Sequence, residues 1–399
     1  MMRTTPFHPR LEQLNHAHAW GNWSGYLSAL KYDLSSKHEY FSVRNAAGFF
    51  DTSPLHKYWL RGPDAERFCS HVFARDVRAL RPGRAQYQVW CDDAGFVLED
   101  GVIFRTAADE FFLTAAEPNY GYLTSLARRY ELDVVDATED FASLAVQGPR
   151  SRDILRALTP DIDELRYFGL THTKIGDTEV MVSRTGFSGD LGYELVIPAD
   201  AALEVLDAII AAGEPHLLRP YGEEALNMVR IEAGLPLLGK EFTSSRYAYT
   251  DAHRFTPDEL GLGWLLKGID DESRPFIGRE AILRERATGS SRWRTVGVAI
   301  EWRDYYDLFA SNGLLAVPDE IPVGWETMLY SAKGKRIGYA TSFMYSPYAQ
   351  RHIGIARVRP KFAEIGTEIQ VEQTVNHEYL NVRGHVTGLP FFNPERKVA

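Results

Sequence analysis

The chain has 399 residues, of which 45% are hydrophobic and 25% charged, the composition of an ordinary globular protein. Its formal net charge of −10 disfavours nucleic acids and anionic membrane surfaces as partners. Two cysteines without a CxxC motif favour a reducing compartment over a disulfide framework. Since the sequence shows neither a secretory leader nor an apolar run of about 18 residues, we expect a cytoplasmic protein.

The first part of the chain predicts a mixture of helices and strands. Residues 1–50 are rich in aromatic side chains and are expected to be irregular or helical. A predicted strand at 56–62 leads into a helix that Pro63 opens, because proline is tolerated in the first helical turn. Alternating side chains between turn residues predict an antiparallel meander over 84–116, and a helix is predicted over 119–130.

The second part repeats the order of the first. Residues 144–158 read as a strand, a Gly-Pro turn and a helix, as do residues 60–73, so we interpret the chain as two related halves. Further helices are predicted at 198–213 and 223–234. After Gly289 the chain becomes strand-rich, which is typical of a β-barrel-like C-terminal domain.

The signatures of several common sites are absent. The sequence contains no GxGxxG after a strand, GxxxxGK[ST], HExxH or GxSxG motif. The pair His16 and His18 is a weak metal signal on a polar segment, and the remaining candidates lack partners at ligand spacing. We therefore predict no metal site.

Five segments resemble, in order, the glycine-cleavage T-protein (aminomethyltransferase) superfamily. They are residues 43–65, 95–104, 144–155, 183–198 running on into 219–242, and 337–358 with 366–372. Each segment alone is a weak signal, but the ordered set spans nearly the whole chain with consistent spacing. On these residues the chain is identified as a member of that superfamily.

The resemblance implies an α+β fold of three domains around a central hole that holds tetrahydrofolate. The first domain would be discontinuous and would combine residues 1–50 with 141–285. The second would take residues 51–140, as another sheet-plus-helix domain. The third, residues 286–399, would be the β-barrel-like domain.

The resemblance also assigns candidate cofactor-binding residues. Glu194 occupies the place of the family's pterin-binding glutamate, and a carboxylate can accept two hydrogen bonds from the pterin edge. The alternative for Glu194 is a solvated strand carboxylate. Tyr193 could wall the site, although core packing is an equal alternative. Arg230 lies in a segment that resembles the family's Arg-x-Glu-x-Gly motif, so it would either lie near the folate or form a structural pair with Glu232.

Asp100 is the candidate catalytic residue. It aligns with the second carboxylate of a pair that the family places near the reactive nitrogens of folate. Since strand neighbours point to opposite faces, we expect Asp100 to face the site and Glu99 to face away; the alternative is two exposed strand carboxylates. Asp100 would attract a cation or accept a proton. Tyr87 resembles a folate-contacting tyrosine of the family, with a packed strand aromatic as the alternative.

Several positions depart from the glycine-cleavage enzyme itself. The Met-Pro of the family's N-terminal stretch is missing, and Pro54 replaces a histidine. Leu226 stands where the family has a folate-site arginine, and Thr114 stands where it has asparagine. Insertions occur near 243–255 and 303–320. These departures resemble the demethylating branch of the superfamily.

The resemblance therefore implies a tetrahydrofolate-dependent one-carbon transferase. The leading interpretation is a demethylase or methyltransferase that acts on a small N-, O- or S-methylated compound and gives 5-methyltetrahydrofolate. Two alternatives stay open. One is the aminomethyltransferase of glycine cleavage, with a lipoyl carrier protein as partner. The other is a non-enzymatic folate-binding protein.

Overall fold

Helices and sheets alternate along the computed structural model, which describes residues 2–316 and 321–399. The described helices are α1 (His8–Leu14), α2 (Ser36–Asn45), α3 (Ala65–Val72), α4 (Tyr120–Ala127), α5 (Ser151–Leu158), α6 (Ala202–Gly213), α7 (Glu223–Glu232), α8 (Arg279–Thr288) and α9 (Trp302–Ser311). The described strands are β1 (Ala19–Trp23), β2 (Tyr26–Lys31), β3 (Ala47–Asp51), β4 (His56–Arg61), β5 (Arg84–Cys91), β6 (Val97–Ala107), β7 (Glu110–Ala115), β8 (Asp133–Asp136), β9 (Phe141–Gln147), β10 (Leu170–Ile175), β11 (Thr178–Ser183), β12 (Gly192–Pro198), β13 (Leu218–Pro220), β14 (Arg294–Ile300), β15 (Thr327–Ser331), β16 (Arg336–Ser346), β17 (Arg351–Val358), β18 (Glu368–Val375) and β19 (Glu378–Thr387).

Two open sheets form the first two thirds of the chain. Sheet A has the strand order β10-β11-β12-β9-β3-β13, and sheet B has the order β5-β6-β7-β4-β8. Sheet A draws its strands from residues 47–51 and 141–220, on either side of sheet B, which uses residues 56–136. The sheets thus agree with the expected α+β class, while the exact domain bounds stay a prediction.

A closed six-stranded barrel confirms the C-terminal expectation. Its strands follow the order β14-β17-β16-β15-β18-β19, and β14 pairs with β19 to close it. Its interior is filled by aliphatic side chains such as Val298, Leu329 and Val371, which are fully buried. Alternating apolar side chains on short strands supply this filling, because every second residue of a barrel strand points inward.

The Gly-Pro turns take the same local geometry in both halves. Gly62 and Gly148 have φ values of +140° and +118°, which favour glycine. A Cβ at Gly62 would lie 2.6 Å from the carbonyl oxygen of Glu131, and a Cβ at Gly148 would lie 2.6 Å from that of Val43. The glycine therefore lets each strand turn sharply into its helix, α3 in one half and α5 in the other.

The N-terminal 50 residues and the C-terminal insertion differ from expectation. Strands β1 and β2 form a hairpin in a region expected to be irregular or helical. Its turn residues Ser24 and Gly25 both have positive φ, which matches the twist of a two-residue hairpin. Helix α9 occupies part of the insertion at 303–320, for which no secondary structure was predicted within the strand-rich C-terminal part, and residues 317–320 lie outside the described residues.

The two faces of sheet A pack against different parts of the molecule. One face packs against α5 and α6 and forms with them a hydrophobic core that includes Leu144, Tyr193 and Leu195. The other face meets sheet B through Met181 and Val196, and meets α2, α7 and the barrel in a further cluster. The second face is thus where both sheets and the barrel come together. None of the described helices has the length and apolar character that crossing a membrane requires.

Candidate functional site

Glu194 lies on the face of sheet A that meets sheet B and the barrel. Its strand partner is Ala145, which in turn pairs with Phe50 on β3, so the three residues form one row across the sheet. Phe50 stacks on Tyr221 with ring centroids 5.3 Å apart, and Trp23 lies 5.8 Å from Phe50 on another side. The row therefore places a carboxylate beside a wall of aromatic rings.

The Glu194 carboxylate is half-buried and accepts a hydrogen bond from the Thr185 hydroxyl. Burial raises the pKa of Glu194, and the Thr185 hydrogen bond acts in the opposite direction. Ser183 lies 2.6 Å from the Thr185 hydroxyl and extends this polar line. In the described part of the chain, Glu194 has no arginine, lysine or histidine as an ion-pair partner. The site therefore offers an acceptor to N–H groups of a ligand.

Tyr193 points the other way. It is fully buried among the residues that face α5 and α6. Its hydroxyl accepts a hydrogen bond from Arg152 Nε at 3.1 Å. The structure thus does not bring Tyr193 to the face that carries Glu194, because neighbours on a strand point to opposite sides. The expectation that Tyr193 walls the site is corrected to the alternative of core packing.

Gln147 is a supporting residue that the sequence reasoning missed. Ideal Cβ atoms on Gly186 and Gly192 would lie within 2.0 and 2.3 Å of its side chain, so both glycines make room for it. The Gln147 amide donates to the carbonyl oxygen of Thr185 at 3.3 Å and accepts from the Ser188 hydroxyl at 2.7 Å. Gln147 therefore fixes the loop that holds Thr185 over Glu194. The two glycines around this turn were the available signal.

Asp100 lies on β6, on the same face as Val102 and Phe104. These two apolar residues belong to the cluster where sheet B meets sheet A, next to Val196. Val196 shares its face of β12 with Glu194, two residues away. Asp100 and Glu194 therefore both face the junction between the two sheets, one from each side.

The Asp100 carboxylate is held by a tyrosine. Tyr87 on β5 donates its hydroxyl hydrogen to Asp100 Oδ2 at 2.6 Å. The pKa of Asp100 is raised to about 6, chiefly by burial; the Tyr87 hydrogen bond lowers this pKa, and the nearby charge of Glu241 adds to the rise. Tyr87 also stacks on Trp264, with ring centroids 6.4 Å apart. The structure thus brings Asp100 and Tyr87 together, and Trp264 is a neighbour that the sequence reasoning did not find.

Glu99 faces away from Asp100, as the strand register predicts. Its carboxylate accepts from the backbone N–H of Glu117 at 3.1 Å and from the side-chain amide of Asn119 at 3.4 Å. Only 1% of Glu99 is exposed, and burial first, then the charge of Asp100, raises its pKa well above the ordinary value. Since Asp100 is half-buried as well, the alternative of two exposed strand carboxylates does not hold.

Arg230 binds a different carboxylate from the one anticipated. It is 1% exposed, and its guanidinium forms an ion pair with Glu241 at 2.7 Å. It also donates to the hydroxyl of Ser342 on barrel strand β16, at 2.7 Å. Its structural partner is thus Glu241 in the loop after α7, and Glu232 points elsewhere because positions i and i+2 of a helix do not face each other.

Glu232 forms a second buried pair, with Arg44 on α2. The two charged groups lie 2.7 Å apart, and their side chains are 0% and 5% exposed. Tyr40 donates to Glu232 at 2.7 Å, and Ser346 at the end of β16 donates at 2.6 Å. Arg230 and Glu232 of the same helix therefore tie the barrel to α2 and α7, behind the Phe50 and Tyr221 wall.

The residues on this face fit tetrahydrofolate by the chemistry of their donor set. The half-buried Glu194 can accept hydrogen bonds from the N–H groups of a pterin edge. The buried rings of Phe50 and Tyr221 make the surroundings of this face apolar, which suits a flat heterocycle. Asp100 and Tyr87 would lie toward the reactive nitrogens under the family resemblance. In the described residues, no group of three or more histidine, cysteine or acidic side chains is arranged to hold a metal ion.

Comparisons with known proteins identify the family of this chain. The family described as GCVT N-terminal domain matches residues 8–268, and the glycine cleavage T-protein C-terminal barrel domain matches residues 313–393. The chain is 30% identical to an aminomethyltransferase of Caldanaerobacter subterraneus subsp. tengcongensis, covering 88% of this chain and 87% of the relative. It is also 32% identical to the trimethylamine-oxide aldolase of Ruegeria pomeroyi, covering 95% of this chain but 46% of that longer relative.

A solved structure shows the same fold over nearly the full length. The glycine cleavage system aminomethyltransferase T from Bartonella henselae superposes with a TM-score of 0.83 and 23% identity, covering 98% of this chain and 99% of that one. Together with the two matched domains and the full-length relatives, this fold supports one assignment. The chain belongs to the glycine cleavage T-protein family, whose cofactor is tetrahydrofolate.

Proposed function

We propose that this protein is a tetrahydrofolate-dependent demethylase that takes a methyl group from a small N-, O- or S-methylated compound to give 5-methyltetrahydrofolate. The observation that carries the proposal is the Asp100 carboxylate. It is half-buried, hydrogen-bonded to Tyr87, and without an arginine or lysine partner in the described chain. A carboxylate in this state is available to a substrate.

The residues of this chain suggest how the site works. When bound, tetrahydrofolate supplies the nitrogen nucleophile that accepts the one-carbon unit. Glu194 would hold the pterin edge, and Phe50 and Tyr221 would exclude water from its flat face. Asp100 would be ionised above its pKa of about 6, and its Oδ atoms could attract a developing cation or take a proton. Alignment of the two reactants would supply most of the rate, as in other well-oriented systems.

A difference at α7 supports demethylation over glycine cleavage. Leu226 stands where the resemblance expects a folate-site arginine, and it packs with apolar residues of the cluster around Tyr221 and Met228. An apolar side chain at this position offers no charge to an anionic ligand. The similarity to the trimethylamine-oxide aldolase over 95% of this chain supports the same direction.

The alternative is an aminomethyltransferase that works with a lipoyl carrier protein. The names of several relatives favour it, including the enzymes from Caldanaerobacter subterraneus and from Thermoanaerobacter sp. strain X514, each 30% identical. A non-enzymatic folate-binding protein is the third candidate. These three functions predict different products, and one set of assays separates them.

The test incubates the purified protein with tetrahydrofolate and a panel of methylamines, methyl ethers and methyl sulfides. We expect mass spectrometry to detect 5-methyltetrahydrofolate with at least one compound, and to lose it with the Asp100→Asn variant. A parallel reaction supplies the other glycine cleavage proteins. Activity only in that reaction would establish the aminomethyltransferase, and folate binding without either product would establish the non-enzymatic alternative.

A further inference from the structure

Arg75 is a half-buried arginine near the candidate site that none of the assigned roles uses. It follows α3, where its backbone N–H donates to the side-chain oxygen of Gln88 at 3.0 Å. Its guanidinium carbon lies 5.3 Å from the ring centroid of Trp264. Burial lowers the pKa of Arg75, and this desolvation is not offset by a neighbouring negative charge. The side chain is thus held in place by an aromatic ring rather than by an anion.

Neighbouring arginines show what a satisfied guanidinium looks like in this segment. Arg78 forms ion pairs with Asp76 at 2.8 Å and Asp271 at 2.7 Å. Arg274 donates to the carbonyl oxygen of Phe73 at 2.7 Å. By contrast, the Arg75 side chain has neither an ion pair nor a hydrogen bond to any part of the chain that the structure describes. Its planar set of N–H donors is left for a ligand or solvent.

Two aromatic rings connect Arg75 to the candidate catalytic carboxylate. Trp264 is 58% exposed, and its ring stacks on Tyr87 at 6.4 Å. Tyr87 in turn donates to Asp100 at 2.6 Å. The order Asp100, Tyr87, Trp264, Arg75 therefore runs from a half-buried carboxylate, over two rings, to an unpaired cation.

We propose that Arg75 binds a carboxylate at the far end of a ligand whose reacting part lies at Asp100. The guanidinium fork matches a carboxylate in two parallel hydrogen bonds, and partial burial strengthens that pairing. The two stacked rings suit a flat aromatic spacer between the ends of the ligand. A ligand as short as a methylated glycine does not provide such a spacer. This inference rests on the proposed function, because it takes Asp100 as the reactive end.

Two kinds of ligand carry an aromatic ring that ends in a carboxylate. One is the p-aminobenzoyl-glutamate tail of tetrahydrofolate itself. The other is a methylated aromatic acid that serves as substrate. Both would place a carboxylate on Arg75. In the first case Arg75 controls the affinity for tetrahydrofolate, and in the second it controls the affinity for the substrate.

The test compares Arg75→Gln with Arg75→Lys and with the matched control Arg78→Gln, which removes one charge three residues away. Calorimetry measures the affinity for tetrahydrofolate and for 6-methyltetrahydropterin, which lacks the tail. It also measures the affinity for 4-methoxybenzoate and for methoxybenzene in the presence of folate. Thermal unfolding of each variant reports whether the fold is kept.

If the carboxylate is that of the folate tail, Arg75→Gln weakens tetrahydrofolate about tenfold or more and leaves 6-methyltetrahydropterin unchanged. If the carboxylate is that of the substrate, Arg75→Gln weakens the affinity for 4-methoxybenzoate and leaves the affinity for methoxybenzene unchanged. Arg75→Lys should keep part of either affinity, and Arg78→Gln should keep all of it.

Equal affinities of wild type and Arg75→Gln for both acids would overturn the inference and leave the proposed function untouched. A wild-type protein that binds no reduced folate would instead remove the proposed function and the inference that rests on it. The two failures are therefore distinguishable in the same experiment.

Discussion

Two regions of this protein hold buried or half-buried carboxylates in contrasting ways. At the junction of α7 with the barrel, Glu232 and Glu241 each form an ion pair with an arginine at 2.7 Å. At the junction of sheets A and B, Asp100 and Glu194 accept hydrogen bonds from hydroxyl groups of the chain. Those two carboxylates have no cationic partner in the described residues.

We propose that the first region serves the fold and that the second serves a ligand. Burying a charge without a partner raises the free energy of the folded state. At the barrel junction, an arginine partner compensates each buried carboxylate, so these pairs are explained by the fold alone. Raised pKa values at Asp100 and Glu194 show that burial is not offset at the second junction. Groups of this kind cluster at functional sites. Removing a carboxylate charge should therefore lower stability in the first region, and should lower turnover or cofactor affinity in the second.

The largest effect should come from breaking a pair at the barrel junction. Glu232→Gln should lower the free energy of unfolding by about 3–5 kcal/mol, because it leaves the Arg44 guanidinium buried without its charge partner. Chemical denaturation followed by tryptophan fluorescence measures the change. The control is Asp251→Asn in an exposed ion pair with Arg254, where we expect less than about 1 kcal/mol. Equal losses in the two variants would contradict the contrast between the regions.

Removing the charge of Asp100 should lower turnover without destabilising the protein. Asp100→Asn should lower turnover about 100-fold, which corresponds to about 2.7 kcal/mol of transition-state stabilisation. Its affinity for tetrahydrofolate should change little, since Glu194 is the proposed pterin ligand. Steady-state kinetics and calorimetry measure the two quantities on the same protein.

Glu99→Gln is the control for that substitution, one residue away on the opposite face of β6. It should leave turnover nearly unchanged, because the Glu99 side chain contacts Glu117 and Asn119 rather than the sheet junction. If Glu99→Gln is the damaging change and Asp100→Asn is tolerated, the two roles must be exchanged. If both are silent, the carboxylate pair is structural.

Glu194 should control the affinity for the cofactor. Glu194→Ala should weaken tetrahydrofolate binding by about 1.5–3 kcal/mol, the range for a hydrogen bond to a charged group. The matched control is Glu179→Ala, an exposed carboxylate on the neighbouring strand β11, which should bind as the wild type does. Unchanged calorimetric affinity in Glu194→Ala would remove this residue from the site.

The smallest effect should be a pH dependence that belongs to Asp100. Turnover should rise as the pH increases through about 6, the pKa of Asp100, because the ionised form is the proposed active one. Asp100→Asn should lack this rise. A wild-type profile that is flat between about pH 5 and 7 would argue against an ionised Asp100 in the reaction.

The titration of Asp100 should also affect stability, but stability should fall with rising pH where turnover rises. The folded state binds the Asp100 proton more tightly than the unfolded state, so its contribution to stability is lost as the pH rises from about 4 to about 6. Relative to Asp100→Asn, the wild type should therefore become less stable over that interval. Unfolding midpoints of both proteins across the pH range measure this difference.

The sequence predicted best where local periodicity decides the structure. The opposite faces of Glu99 and Asp100 follow from strand alternation, and α7 follows from its helical pattern. The partner of Arg230 was missed because Glu241 lies in an irregular loop after the helix. Gln147 was missed because its contacts to Gly186 and Gly192 join distant segments. Such long-range pairings leave no periodic trace in one sequence.

The interrupted course of sheet A has a consequence for how the chain folds during synthesis. Strand β3 emerges early, but its sheet partners are β9 and β13, which follow all of sheet B. Sheet B is complete once residue 136 has emerged, and it has a hydrophobic core of its own around Phe68 and Ile103. Because distant pairings form more slowly than local ones, sheet B should fold first and sheet A should close around β3 only after residue 220 has emerged.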